Sequence, residues 1–88
     1  MTVEAYILFK VASGREREAC QQIAKIKEVT TASIVYGEYD LIARVTVPEL
    51  PALEDFLAEK IRKVPSIILT STMVIAQECK GKQKQTKK

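Results

Sequence analysis

The sequence predicts one α+β domain whose elements follow the order β-α-β-β-α-β. Four segments are rich in alternating apolar or β-branched residues, a pattern typical of strands. Two other segments carry apolar residues at spacings of three and four, a pattern typical of helices. The chain has 88 residues, which is enough for one domain with a modest core, so a partner chain would add to its stability.

The first strand is predicted over residues 3–11, where every second residue is apolar. The other face of this strand places Tyr6 and Leu8 between Glu4 and Lys10. Because both faces are apolar at the centre, we expect the strand to be covered on both sides there.

The first helix is predicted to open at Ser13, because Ser13 and Glu16 have the spacing of a capping box. Its apolar stripe consists of Ala19, Cys20, Ile23 and Ile26. We therefore expect Cys20 to be a core residue.

The second and third strands are predicted over residues 29–36 and 41–47, both rich in β-branched residues. The short segment 37–40 between them contains Gly37, so the two strands are expected to form an antiparallel hairpin. Arg44 lies among apolar neighbours in the third strand, and we expect it to pair with an acid across the sheet or in a dimer, the alternative being contact with a ligand.

The second helix is predicted over residues 48–63, with Pro51 in its first turn, where a missing N–H costs nothing. Its predicted buried stripe, with Phe56 beside it, consists of Leu50, Leu53, Leu57, Ile61 and Val64. The last strand is predicted over residues 67–76.

This order of elements predicts a ferredoxin-like βαββαβ fold: a four-stranded antiparallel sheet with both helices on one face. The apolar residues expected on the uncovered face are Tyr6, Leu8, Ile42 or Leu41, Ile68 and Val74. A partly apolar open face favours a face-to-face dimer, which would make the protein a dimeric α-β plait.

The net charge of +3 is unevenly distributed, because five of the 14 basic residues lie in the last nine positions. Residues 1–79 keep nine basic against 11 acidic groups, a net charge of −2. We therefore predict a folded unit over residues 1–78 and a Lys-rich tail over 79–88, disordered along with the polar residues from Gln77 onward. The tail is interpreted either as a solubilising end or as a non-specific contact for nucleic-acid phosphates.

Several classes of protein are disfavoured by the composition. The chain has no His, which excludes His-based triads and His metal sites, and it contains no CxxC motif, so no cofactor or metal is expected. The longest stretch free of charge and Pro, residues 66–77, is too short and too polar to span a bilayer. We see no signal peptide, and two isolated cysteines fit a reducing compartment, so a cytoplasmic protein without membrane contact is expected.

Three segments in the same order resemble a known family: residues 36–42 (YGEYDLI), residues 60–65 (KIRKVP) and residues 70–72 (TST). They are similar to the RAM domain, the effector-binding domain of the leucine-responsive and asparagine-operon (Lrp/AsnC) regulators, over about residues 3–77. Those regulators usually carry an N-terminal helix-turn-helix. Here the first strand starts at Val3, so we expect a stand-alone domain without sequence-specific DNA binding. The family also often has Gly where this chain has Ser66.

The resemblance implies dimers formed by pairing sheets, which assemble further into octamers or similar rings. It also implies amino-acid effectors held in clefts between dimers, and it allows association with full-length Lrp/AsnC regulators. The positions matched to the family's hairpin and last strand give the candidate ligand-binding residues Gly37, Glu38, Tyr39, Asp40, Thr70 and Thr72.

These residue types suit an amino acid. Gly37 permits a positive φ, so N–H groups of the loop could converge on a carboxylate. Asp40 or Glu38 could accept from an ammonium group, the two threonines could add hydroxyl contacts, and Tyr39 could form a wall. The competing interpretation is plain turn chemistry in the hairpin and plain β-formers in the strand.

The predicted function is thus an effector-binding module rather than an enzyme. Glu38 and Asp40 have no acid-base partner or metal-ligand spacing that would make them a catalytic pair. Two alternatives from other classes stay open. One is a small dimeric α+β-barrel enzyme, and the other is a nucleic-acid-associated protein acting through its tail.

Overall fold

The computed structural model of the protein describes residues 2–81. The strands are β1 (Val3–Val11), β2 (Val29–Ile34), β3 (Leu41–Val47) and β4 (Ile67–Val74). The helices are α1 (Glu16–Ala24) and α2 (Leu50–Phe56), and α2 continues into a π-helical turn (Leu57–Ile61). The tail predicted to be disordered falls mostly on residues 82–88, which lie outside the described residues. In the part of the chain that is described, no helix is both long and apolar enough to cross a bilayer.

The sheet confirms the predicted α+β class. Its strand order is β2-β3-β1-β4, and all neighbours are antiparallel. Ile7, at the centre of β1, pairs with Ala43 of β3 on one side and with Thr72 of β4 on the other. This is the ferredoxin-like arrangement that the βαββαβ order predicts.

The core lies between one face of the sheet and the two helices. Every second residue of β1 and β3 is buried on that face, from Ala5 to Val11 and from Leu41 to Val47. The helices contribute Ala19, Ile23, Leu53 and Phe56 to the same cluster, and Cys20 packs against it as predicted. Fully burying a side chain such as Phe56 stabilises the fold by about 1.5–3 kcal/mol.

The predicted capping box at Ser13 is wrong. Helix α1 begins at Glu16, and its N-cap residue, Arg15, makes no side-chain cap hydrogen bond. The reason is a turn that precedes the helix: the Arg15 N–H donates to the Ala12 carbonyl (3.0 Å), and Gly14 adopts a φ of +84°. That left-handed residue places Ser13 outside the helix.

The second helix is shorter and less regular than predicted. Phe56 and Ile61 are both buried although they are five residues apart. In an α-helix, positions five apart differ by about 140° around the axis, whereas a π turn brings them to the same side. Leu50 is half exposed, so its assignment to the buried stripe is wrong, because its position in the first turn lies beyond the edge of the core.

Two strands end earlier than predicted. β2 ends at Ile34, because the next residue, Val35, donates its N–H to the Asp40 carbonyl (2.9 Å) and closes the hairpin loop. β4 ends at Val74, because its partner β1 begins at Val3 and offers one further acceptor, the Glu4 carbonyl, to the Ile75 N–H (2.8 Å).

The uncovered face of the sheet differs from the prediction at β4. The register between β1 and β4 shifts at Ile68, an extra residue that forms a β-bulge. Because side chains alternate with a period of two, one extra residue moves all later β4 side chains to the other face. Val74 therefore pairs with Ala5 on the helix-facing side, and its placement on the open face is wrong. The large apolar residues of the open face are Tyr6, Leu8, Ile42, Leu69 and Met73.

Candidate functional site

The hairpin loop between β2 and β3 is fixed to the end of β1 by two hydrogen bonds of Asp40. Its backbone N–H donates to the Phe9 carbonyl (2.8 Å), and its carboxylate oxygen Oδ2 accepts from the Val11 N–H (3.0 Å). The second carboxylate oxygen, Oδ1, makes no hydrogen bond within residues 2–81. Asp40 thus has a structural contact and one acceptor left for a ligand.

The tip of the loop is open to solvent. Gly37 has a φ of +139°, a conformation that side chains rarely adopt, although a Cβ there would meet no atom within 4 Å. The backbone conformation of this position therefore favours glycine, whereas the available space does not require it. Glu38 is exposed, and Tyr39 is half-buried with the Lys10 ammonium 5.8 Å from its ring centroid.

Thr70 and Thr72 lie on the other side of β1. In the register of β4 with β1, Thr70 is opposite Phe9 and Thr72 is opposite Ile7. Both threonines therefore share the helix-facing side of the sheet, at its edge. Without the bulge at Ile68, strict alternation would have placed them on the open face.

The six predicted ligand-binding residues therefore form two groups, separated by β1. Phe9 has Asp40 attached on its β3 side and Thr70 paired on its β4 side. Two strand spacings of about 4.8 Å place β3 and β4 about 10 Å apart. This separation is larger than the distance between the ammonium and the carboxylate of one α-amino acid, because both groups are bonded to the same carbon. One protomer does not bring the two groups together in a single pocket.

A charged cluster on the open face centres on Arg44, whose side chain is 24% exposed. Its guanidinium donates to the Tyr6 hydroxyl (3.1 Å), the Glu4 carboxylate and the Glu78 carboxylate (3.0 Å), and it lies 5.5 Å from the Tyr6 ring centroid. These carboxylates raise the pKa of Arg44 above its ordinary value, and Glu4 has a larger effect than Glu78. The predicted pairing of Arg44 with an acid is confirmed. Glu78 was missed because a polar segment after the last strand gives no pattern that places it.

A groove of about 430 Å³ lies between the π turn and β4. Thr70 and Arg62 line it together with six apolar residues, which are Leu57, Ile61, Val64, Ile67, Ile68 and Leu69. The sequence did not indicate this groove, because it depends on the π turn and the bulge. None of the residues of the hairpin loop lines it.

A smaller cavity of about 310 Å³ lies where the loop before α1 meets the loop before β4. Among its lining residues is Ser66, whose buried hydroxyl oxygen has no hydrogen-bond partner within residues 2–81. Within that range no residue other than glycine has a positive φ, so serine is not strained at this position.

Comparisons with known proteins agree with this fold. A family model described as the Lrp/AsnC ligand binding domain matches residues 4–84. An uncharacterised HTH-type transcriptional regulator from Pyrococcus abyssi is 33% identical over 73 residues, which cover 83% of this chain and 46% of the regulator. The chain thus spans about half the length of this curated relative.

Two solved structures illustrate the similarity. The chain in the crystal structure of FFRP-DM1 is 48% identical in sequence to this chain, and the two structures have a TM-score of 0.79. The alignment covers 83% of this chain and 97% of that one. A transcriptional regulator from Neisseria meningitidis has a TM-score of 0.80 at 17% identity, over 90% of this chain and 53% of its own. At that identity the second likeness supports the fold alone.

Proposed function

The chain belongs to the Lrp/AsnC ligand-binding domain family, and from this we propose that it is an effector-binding module that takes an amino acid in clefts between dimers. Binding would modulate amino-acid metabolism or transcription through assembly, or through association with Lrp/AsnC-type regulators. The Pyrococcus abyssi and Neisseria meningitidis proteins are named as transcriptional regulators, which supports a regulatory role.

The separation of the candidate residues by β1 is the observation that carries this proposal. Asp40 and Thr70 flank Phe9 from opposite sides, so a small ligand that touches both groups needs a second protomer. A cleft between dimers meets this requirement, because one protomer supplies the hairpin loop and another supplies the threonines. A ligand that binds only the assembled state stabilises that state by mass action.

The chemistry of the two groups suits an amino acid. The loop offers backbone N–H groups near Gly37 for a carboxylate, and Asp40 Oδ1 and Glu38 as acceptors for an ammonium. Thr72 and Thr70 add hydroxyl groups, and Tyr39 adds an aromatic surface. The Neisseria meningitidis regulator, which shares this fold, was solved in complex with L-Met, so amino acids are the ligands that we would test first.

The open face of the sheet supports dimer formation. It carries Tyr6, Leu8 and Ile42 on the two central strands and Met73 on β4, which is half exposed. Covering this apolar surface with a second copy would remove it from water, which favours association. We expect these dimers to assemble into octamers or similar rings.

We further propose that residues 1–78 form the binding and assembly unit and that 79–88 are a separate tail. The contact of Glu78 with Arg44 supports a boundary after Glu78. Both cysteines, Cys20 and Cys79, are free thiols, which supports a reducing compartment such as the cytoplasm.

The test combines calorimetry against the twenty amino acids with mass measurement of the assembly in solution. We expect heat with one or a few amino acids and a larger assembly when they are present. Thr72→Val keeps the shape of the side chain and should weaken binding severalfold, whereas Thr30→Val, at the far edge of the sheet, should not. The absence of heat and of any change in mass with all twenty amino acids would refute the proposal.

A further inference from the structure

The groove between the π turn and β4 has the properties of a second binding site. Its volume of about 430 Å³ falls within the usual range of small-molecule sites, which is roughly 300–1,000 Å³. Six of its lining residues are apolar, and only Thr70 and Arg62 bring polar side chains. We propose that this groove binds a small aliphatic carboxylate, with its carbon chain along the apolar wall and its carboxylate at Arg62.

The apolar wall exists because two irregularities meet. The π turn directs Leu57 and Ile61 toward β4, and the bulge adds Ile68 to the edge of the sheet. Ile68 is 69% exposed, so apolar surface is available to a ligand. β4 is also an edge strand, and its outer backbone groups are not paired within residues 2–81.

The charge of the groove selects an anion. Arg62 makes no salt bridge within residues 2–81, and no acidic residue lines the groove. The carbonyl groups at the end of the π turn disfavour an anion nearby. Arg62 and Lys63 follow that end directly and give the local charge a positive sign, whereas Lys60 is already paired with Glu28.

The groove is largely separate from the proposed effector site. Gly37, Glu38, Tyr39 and Asp40 do not line the groove, and only Thr70 is common to both. The test therefore leaves Thr70 unchanged, so that failure of one proposal does not imply failure of the other.

The experiment titrates the full chain with isocaproate and follows amide and methyl NMR correlation spectra. We expect saturable shifts at Leu57, Ile61 and Leu69, with a Kd of about 1 mM, as is usual for so small a ligand. Isocaproamide has the same shape without the charge, and it should bind roughly fivefold more weakly at low salt.

Two variants assign that difference to one side chain. Arg62→Gln should bind the acid and the amide equally, while its spectrum away from the groove stays unchanged. Lys63→Gln removes the neighbouring charge, which does not line the groove, and should keep the preference for the acid. The proposal is overturned if wild type shows no saturable shifts, if the shifts map to Gly37 and Tyr39, or if Arg62→Gln keeps the preference.

Discussion

Replacing Asp40 tests how the hairpin loop is held. The Asp40 carboxylate accepts a hydrogen bond from the Val11 N–H at 3.0 Å, and no other side chain bonds that N–H within residues 2–81. In Asp40→Ala this bond is lost, and the Val11 N–H is left without its partner near the edge of the core.

The expected cost follows from the kind of bond. A hydrogen bond to a charged group contributes about 1.5–3 kcal/mol when it is buried. Asp40 is half-buried, and water reaches the vacated site, so we expect a loss of about 1–2 kcal/mol. For a domain of this size, 1 kcal/mol corresponds to about 4–8 °C in Tm, which gives a drop of about 4–16 °C.

Thermal unfolding followed by circular dichroism measures this drop, with all variants at one protomer concentration because assembly also stabilises the fold. Glu38→Ala is the matched control, since Glu38 is an exposed loop carboxylate without a partner in the described part of the chain, and its Tm should stay close to wild type. Asp40→Asn keeps an acceptor and should lose less stability than Asp40→Ala. An unchanged Tm for Asp40→Ala, or an equal drop for Glu38→Ala, would refute this account of the loop.

Three further predictions concern stability. Ile7→Ala empties a fully buried site and should lower the free energy of unfolding by about 2–5 kcal/mol in chemical denaturation; a loss below 1 kcal/mol would contradict its central place in the core. Glu28 accepts from Lys60 (2.9 Å), which lowers the pKa of its carboxyl below 4.5. The contribution of this pair is therefore complete above the ordinary Glu pKa and disappears as pH falls through the lowered value. Glu28→Gln should cost up to about 1 kcal/mol at neutral pH and nothing in strong acid, and a loss that does not depend on pH would argue against the ion pair. Gly14→Ala should lower the free energy of unfolding by about 1–2 kcal/mol, because position 14 has a positive φ. Ser13→Ala should leave the stability unchanged, since Ser13 caps no helix. A larger drop in Tm for Ser13→Ala than for Gly14→Ala would indicate that Ser13 does cap the helix.

The sequence was most informative where alternation decides the structure. β1 (Val3–Val11) and β3 (Leu41–Val47) have the bounds that their apolar alternation predicts, because a strand with one face in the core cannot shift by one residue without exposing that face. The same reasoning failed at Ile68. Three apolar residues in a row, from 67 to 69, satisfy either register, so the extra residue left no trace in the pattern.

The π turn was missed for a similar reason. Leu53, Leu57 and Ile61 are four apart and fit an ordinary α-helix, and Leu57 is only half-buried in the structure. The buried pair is Phe56 and Ile61, and its spacing of five becomes meaningful only once the packing is known.

The candidate site was predicted residue by residue but not as an arrangement. Sequence placed Asp40 in a loop and Thr70 on a strand, both of which are correct. The predicted ferredoxin-like fold already has β3 and β4 on opposite sides of β1, but the bulge that turns both threonines to the helix-facing side was not predicted. Sequence reasoning treated ligand binding and turn chemistry as competing roles for Asp40, whereas one carboxylate oxygen fixes the loop to Val11 and the other is left for a ligand.

The bulge at Ile68 has a consequence for how relatives of this chain are compared. A homologue of the same length whose β4 alternates strictly from position 67 onward would carry the same Thr70 and Thr72 on the face toward a sheet partner, with every side chain in the strand unchanged. The presence or absence of the bulge, which leaves no gap in an alignment, thus exchanges a ligand surface for an assembly surface. Residue identity in β4 is therefore not sufficient to transfer a role between relatives, and the register of β4 on β1 has to match as well.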